Sequence, residues 1–269
     1  MDNRPVCVFD SGLGGLTAVR MLRKLMPNEN IVYFGDTGRM PYGGRSAAQI
    51  RLIAQQNLDF AQSFGVKAII AACGTISSNA ADLLLACPVK TVGVLAPGVR
   101  ELAQTGKKRL GVIATATSIK SGSFQRELSA LAPDAEVCAL ACPDFVPMIE
   151  SGRYLPSDPE VRATVARSLS ELKECRTEAV LLGCTHYGLI ADAIRDFLGD
   201  EVELIGAADA AARELCAYIE GASAFGDGGG EEYYTSGSIA DFEALAPLML
   251  GYGLKAAVNH VPPFPLEVL

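Results

Sequence analysis

Short apolar runs alternate along the chain with longer amphipathic windows, the pattern of a parallel β-sheet flanked by helices. Runs over 5–10, 30–36, 66–73, 90–95, 109–115, 135–142, 178–184 and 202–206 read as strands. The windows near 14–25, 46–64, 78–86, 97–105, 121–131, 158–174, 188–198 and 207–220 read as helices, with a further short helix at 241–250. The fold class is therefore α/β.

The strand ends repeat themselves. "VCVFDSG", "IVYFGDTG" and "AIIAACGT" in the first part answer to "LGVIATATS", "EVCALACP" and "AVLLGCTH" in the second. The offset is 105 residues from Asp10 to Thr115 and 111 from Cys73 to Cys184. This predicts two pseudo-symmetric lobes, 1–96 with 207–269 and 97–206, each a mainly parallel sheet flanked by helices, with the crossover near Val94–Pro97. Ligands of such sheets sit beyond the carboxyl ends of the strands, so two facing lobes enclose one site. The tract "GASAFGDGGGEEYY" (221–234) reads as a mobile surface loop. The tail "VPPFPLEVL" reads as extended and is assigned no role.

Composition narrows the function classes. The 269 residues are 49% hydrophobic, with 27 glycines, 14 prolines and no tryptophan, as in an ordinary globular enzyme. A formal charge of -8 argues against a broad grip on nucleic acid, which needs clustered Lys and Arg. The longest uncharged stretches turn polar too soon to span a bilayer. The start, "MDNRPVCVFD", has no apolar leader-like region, and the expected location is cytoplasmic. Eight cysteines in a chain neither small nor exported read as reduced thiols. With two histidines and no Cys-x-x-Cys, the pair Cys138-x-x-x-Cys142 lacks the companions of a zinc site.

"DSGLGG" (10–15) with Asp36 looks at first like a dinucleotide cradle. Thr17 stands where that fingerprint wants Gly or Ala, and Asp10 sets a negative charge where a pyrophosphate would lie. The glycines read instead as letting Ser11 and nearby N–H groups approach a small anion.

Cys73 and Cys184 occupy equivalent strand ends just ahead of helices, where the helix N-terminus favours thiolate over a thiol of ordinary pKa ~8.5. Two facing thiols suit inversion of a stereocentre, one removing a proton from one face while the other delivers a proton to the opposite face. A single nucleophilic cysteine would want a neighbouring base and an oxyanion hole, and either residue taken alone reads equally as core packing. His186, next to Cys184, is placed to share its proton or merely to cap a strand end. Glu150 reads either as an exposed helix residue or as a carboxylate in the cleft. Tyr42 lies in "DTGRMPYG" (36–43), on a loop that Pro41 and Gly43 shape for ligand contact.

Five motifs, "GDTGRMPYG" (35–43), "AACGTISS" (71–78), "VIATATSIKSG" (112–122), "CPDFVPMIESG" (142–152) and "LLGCTHYG" (181–188), stand between "CVFDSGLGGLTAV" (7–19) and "YYTSGSIADF" (233–242). Together they resemble the glutamate racemases of the cofactor-independent aspartate/glutamate racemase superfamily. The resemblance implies a two-lobe α/β homodimer without metal or pyridoxal cofactor that interconverts L- and D-glutamate for bacterial peptidoglycan synthesis. It implies Cys73 as the base for D-glutamate and Cys184 for L-glutamate, with Asp10, His186 and Glu150 assisting. It places Asp10, Ser11, Tyr42, Gly43, Gly74, Thr75, Ser118, Thr185 and His186 at substrate-contact positions.

The chain departs from the family pattern at Gly74, where Asn is usual, at Gly188, where Pro is usual, at Ser118, where Thr is usual, and at Gly206–Ala207, where Asp-Ser is common. Two alternatives stay open at this level. One is the same chemistry on aspartate or a hydantoin, and the other is a non-catalytic amino-acid-binding protein.

Overall fold

In the computed structural model, which describes residues 2–221 and 225–266, every strand pairing is parallel. The chain runs β1 (Val6–Asp10), α1 (Leu16–Leu25), β2 (Ile31–Gly35), α2 (Ala47–Gln62), β3 (Ala68–Ala71), α3 (Gly74–Asn79), α4 (Ala81–Ala86), β4 (Lys90–Gly93) and α5 (Leu95–Gln104). It continues through β5 (Arg109–Ala114), α6 (Ala116–Lys120), α7 (Ser123–Leu131), β6 (Glu136–Ala141), α8 (Phe145–Glu150), α9 (Pro159–Glu174), β7 (Ala179–Leu182), α10 (Ala191–Leu198) and β8 (Glu203–Gly206). It ends with α11 (Ala207–Gly221), β9 (Glu231–Thr235), α12 (Ile239–Leu250) and β10 (Val258–His260). Two sheets result, one of six strands in the order β10-β9-β2-β1-β3-β4 and one of four in the order β6-β5-β7-β8.

The central strands are apolar throughout because both of their faces are covered. Along β1, Val6 and Val8 enter one core while Cys7 and Phe9 enter the other, as the two-residue strand period requires. The first core joins the sheets. There α11 packs against both α1 and α5, a close approach that its buried Ala207, Ala208, Ala211 and Ala212 permit. The second core lies under α2, α3 and α4. Helix α2 opens with a capping box in which the Ser46 hydroxyl accepts from Gln49 N and the Gln49 side chain accepts from Ser46 N, each at 3.2 Å. Helix α9 opens on Asp158, followed by a proline at the first helical position.

Several expectations need correction. The loop expected over 221–234 contains the start of β9, which pairs with β2 from Ile31 opposite Glu231 to Gly35 opposite Thr235. The run "EEYYT" looks too polar for a strand. Glu231 is nevertheless buried, its charge met by Arg23 at 2.7 Å and Lys255 at 3.3 Å and its oxygens by the Tyr233 and Tyr252 hydroxyls. Strand β10, just ahead of the tail, joins β9 in the same sheet and had no counterpart among the expected strands; residues 222–224 of that loop and 267–269 of the tail lie outside the described residues. The helix expected over 78–86 begins earlier, at Gly74, and breaks at Ala80. The window 121–131 is preceded by α6, from which Gly122 separates α7 with φ of 69°. Helix α8 had no sequence window because Pro147 interrupts it, and that proline is tolerated in the first turn, where N–H groups have no intrahelical partner.

Away from the strands' carboxyl ends, Lys67 Nζ meets Glu29 Oε1 at 2.7 Å with both side chains almost fully buried. Lys67→Met would leave that carboxylate desolvated against an apolar group. We expect it to lower the unfolding free energy by about 3 kcal/mol, seen as a lower urea midpoint at unchanged slope. A midpoint equal to the parent's would contradict this.

Candidate active site

The carboxyl ends of β1, β3, β5, β6 and β7 converge from both sheets on one cavity of about 440 Å³. Asp10 ends β1 and is buried. Its Oδ1 accepts from Ser11 N and its Oδ2 from Gly15 N, both at 2.7 Å, and the Thr185 hydroxyl reaches Oδ2 at 3.4 Å. The small anion expected over the 10–15 glycines is thus the chain's own carboxylate, and those N–H groups are spent on it. Burial pushes the Asp10 carboxyl's pKa up, opposed by the His186 charge and by the Gly15 and Ser11 N–H groups.

The glycines of this loop have another use. A Cβ on Gly14 would lie 2.4 Å from His186 Nδ1 and from Thr185 Oγ1, so the Thr185 and His186 side chains of the second lobe pack directly on the first lobe's backbone. A Cβ on Gly74 would likewise meet the Gly183 carbonyl oxygen at 2.8 Å. The departure at Gly74 therefore has a steric reason, because backbone of the other lobe fills the space an amide side chain would need.

Cys73 is the N-cap of α3, and Cys184 is the N-cap of a 3-10 turn over Thr185–Ile190 that leads into α10. The Cys73 thiol donates to Ser11 Oγ at 3.6 Å. Burial, then the Asp10 charge, pushes this thiol up to about 12, while the Ile76 and Thr75 N–H groups and Ser11 pull the other way. The helix N-terminus acts on Cys73 as the sequence suggests, but desolvation outweighs it.

Cys184 Sγ lies 3.8 Å from His186 Nδ1, and His186 Nε2 lies 3.1 Å from Glu150 Oε1, at the end of α8. Burial alone would lower the imidazole's pKa. Its bonds to Cys184 and Glu150, with the Asp10 charge, prevail and lift it to about 10. The bonds to Cys184 and Glu150 and the Asp10 charge thus favour the imidazolium form of His186.

Of the sequence-predicted residues, Asp10, Ser11, Tyr42, Gly43, Cys73, Gly74, Thr75, Glu150, Cys184, Thr185 and His186 all reach the cavity wall. Tyr42 does so differently from expectation. Its side chain is buried, and its hydroxyl is committed to Asp36 and accepts from Asn57 Nδ2 at 3.1 Å, which leaves the ring on the wall. Ser118 is not on the wall. It is buried behind it, receiving hydrogen bonds from Thr115 Oγ1 at 3.0 Å and Ser78 Oγ at 3.4 Å.

Sequence reasoning missed Thr117 and Cys142 as lining residues, together with the apolar Pro143, Val146 and Pro147. The repeated strand ends carried the signal, since Thr115 matches Asp10 in position and Cys142 closes "EVCALAC". The Thr117 hydroxyl accepts from Gly44 N at 3.2 Å and so bridges the lobes at the cavity mouth. All eight cysteines are unpaired thiols, and Cys138 points to Glu171 at 3.9 Å, away from the cavity that Cys142 lines. Among the described residues no three His, Cys, Asp or Glu side chains form a metal-ligating group, and no helix is long and apolar enough to cross a membrane.

The profile of the Asp/Glu/Hydantoin racemase family matches residues 17–215. The chain is 37% identical to a glutamate racemase of Thermoanaerobacter pseudethanolicus over 266 residues, covering 96% of this chain and 98% of that protein. It superimposes with a TM-score of 0.89 on the glutamate racemase of Francisella tularensis in complex with D-glutamate, at 33% identity over 98% of this chain and 99% of that one. The glutamate racemase of Thermus thermophilus in complex with β-chloro-D-alanine gives 0.86 at 36% identity, over 97% and 98% of the two chains. At 16% identity and a TM-score of 0.58, the aspartate racemase of Picrophilus torridus shares the fold alone. On sequence profile and full-length similarity, the chain belongs to the Asp/Glu/Hydantoin racemase family.

Proposed function

We propose that this protein is a glutamate racemase in which Cys73 and Cys184, one from each lobe, move the α-proton of free glutamate between the two faces of its carbon. The reading rests on one observation above all. Two cysteines at matching helix starts, from two different sheets, line one cavity, and each has its own ionisable neighbour, Asp10 for Cys73 and His186 for Cys184. Proton removal from one face and delivery to the other needs two groups so disposed. Cys73 acts as base toward D-glutamate and Cys184 toward L-glutamate, each being the acid in the reverse direction.

In the free protein the Cys73 thiol is protonated at pH 7, and ionising it against a pKa of about 12 costs roughly 7 kcal/mol. A substrate ammonium beside the sulfur offsets part of that cost, so the base is made by the substrate's own charge. His186, held by Glu150, keeps Cys184 supplied with a proton. The cavity wall includes no Lys or Arg among the described residues, so substrate carboxylates are met by the Ser11, Thr75, Thr117 and Thr185 hydroxyls and by backbone N–H groups. Gly74 supports this reading, because the space of the usual amide is taken by the Gly183 carbonyl rather than left open for another substrate. We place the lobes at 1–96 with 207–269 and at 97–206. The D-glutamate formed supplies peptidoglycan synthesis in the cytoplasm, with the enzyme acting as a homodimer.

With either enantiomer in deuterated water, we expect deuterium at the α-carbon and drift to a racemic mixture, with net inversion abolished in Cys73→Ala and in Cys184→Ala. A folded protein that exchanges no α-proton of glutamate would sink the proposal. Glu150→Gln removes a group that raises the His186 pKa, so the imidazolium is lost at lower pH. The alkaline limb of the rate profile then moves down by about one unit, and an unmoved limb would separate Glu150 from the proton path. Gly14→Ala drives a methyl into the His186 ring and should lower kcat by about a hundredfold while the protein stays folded. Activity at the parent level would show that the lobe contact at Gly14 is slack.

A further inference from the structure

The turn from Asp36 to Gly44 carries Tyr42, Gly43 and Gly44 onto the cavity wall, and a buried polar network braces it. Asp36 is fully buried. Its Oδ2 accepts from Arg39 Nε at 2.6 Å and from the Tyr42 hydroxyl, and its Oδ1 accepts from Ser236 Oγ at 2.6 Å. Arg39, only 4% exposed, also donates from Nη2 to Asn57 Oδ1 at 3.0 Å, and Asn57 Nδ2 returns to the Tyr42 hydroxyl at 3.1 Å. The circuit Asp36, Arg39, Asn57, Tyr42 is closed.

What covers this circuit from outside is the tail. Val261 N donates to Thr235 O at 2.8 Å and continues the line of β10 past the sheet edge. The Phe264 ring then seats against Phe34 and Phe60, with centroids 6.3 Å and 5.9 Å away, and under the Arg39 guanidinium at 5.3 Å. Arg39 Nη1 donates to Gln56 Oε1 and, at 3.5 Å, to the Phe264 carbonyl, while Gln56 Nε2 donates to the Pro265 carbonyl at 2.9 Å. A Cβ on Gly38 would touch both Ser236 O and Pro263 Cγ, so the turn is gripped from two sides. A buried ion pair holds its geometry only when its remaining donors are satisfied and water is kept off. Asn57 and Gln56 take the remaining Arg39 donors, and residues 261–266 cover the guanidinium with the Phe264 ring, add the Phe264 carbonyl and hold Gln56 in place.

Resting on the racemase reading above, we propose that the C-terminal segment 261–266 positions the substrate loop. Phe264, stacked on Arg39, fixes the Asp36–Arg39 pair and through it the Tyr42 ring and the Gly43–Gly44 backbone. The thiols and their partners Ser11 and His186 belong to no hydrogen bond of this network. Loss of the strut therefore weakens substrate binding and spares proton transfer.

The test is steady-state racemisation of both enantiomers by Phe264→Ala, Phe264→Tyr and Gln56→Ala, each well below its own melting temperature. Phe264→Ala should raise KM about tenfold in both directions with kcat within twofold, Phe264→Tyr should restore KM, and Gln56→Ala should fall between. If Phe264→Ala does not fold, Gln56→Ala carries the same comparison. An unchanged KM, or a fall in kcat that tracks only the folded fraction, overturns the positioning role. A wild-type protein inert toward glutamate overturns the racemase reading instead.

Discussion

Cys73 and Cys184 are set against each other where the two lobes meet at glycine backbone, Gly14 against the Thr185 and His186 side chains and Gly74 against the Gly183 carbonyl. Neither place has room for a β-carbon as the neighbouring groups stand, and at Gly74 the contact is main chain against main chain, which no rotamer change relieves. Hydroxyl contacts extend the seam, with Thr17 reaching the Thr185 carbonyl at 3.4 Å and Ser123 reaching the Ser78 carbonyl at 2.9 Å. Chemistry that needs two groups on opposite faces of one carbon tolerates little error in their separation. The parallel topology delivers it, because each strand end points its next residues the same way.

The electrostatics follow from the same enclosure. Burial makes ionisation costly for Asp10, Cys73 and Cys142 on the cavity wall and raises the pKa of each. The charges that persist are met by fixed partners. Asp10 has two backbone N–H groups and His186 has Glu150. An ammonium entering such a site would favour the ionised form of the thiols and carboxylates around it.

Much of this was legible in the sequence, and the gaps have physical causes. Strands covered on both faces become unbroken apolar runs, so β1, β2, β3, β5 and β7 announce themselves, and the residues just beyond them, Asp10, Cys73 and Cys184, are the ones a parallel sheet exposes at its active end. Strand β9 stayed hidden because Glu231 reads as solvent-facing until Arg23 and the tyrosines close around it. Helix α8 was masked by Pro147. Ser118 and Thr117 are adjacent hydroxyls at a helix start, and only the turn of α6 decides which one faces the cavity. Local pattern likewise cannot weigh a helix N-terminus against desolvation at Cys73, since desolvation depends on the opposite lobe. Phe264 lies in a tail whose prolines suggest only extension, and its role depends on Arg39, 225 positions earlier in the chain.

The central claim is geometric, that one carbon is held between two sulfurs. A crystal structure of the protein with D-glutamate tests it most directly. The account predicts the α-carbon between the Cys73 and Cys184 Sγ atoms, each about 3.5 Å away and on opposite faces. Glutamate bound with both sulfurs on one side of the α-carbon, or with either sulfur out of reach, would contradict it.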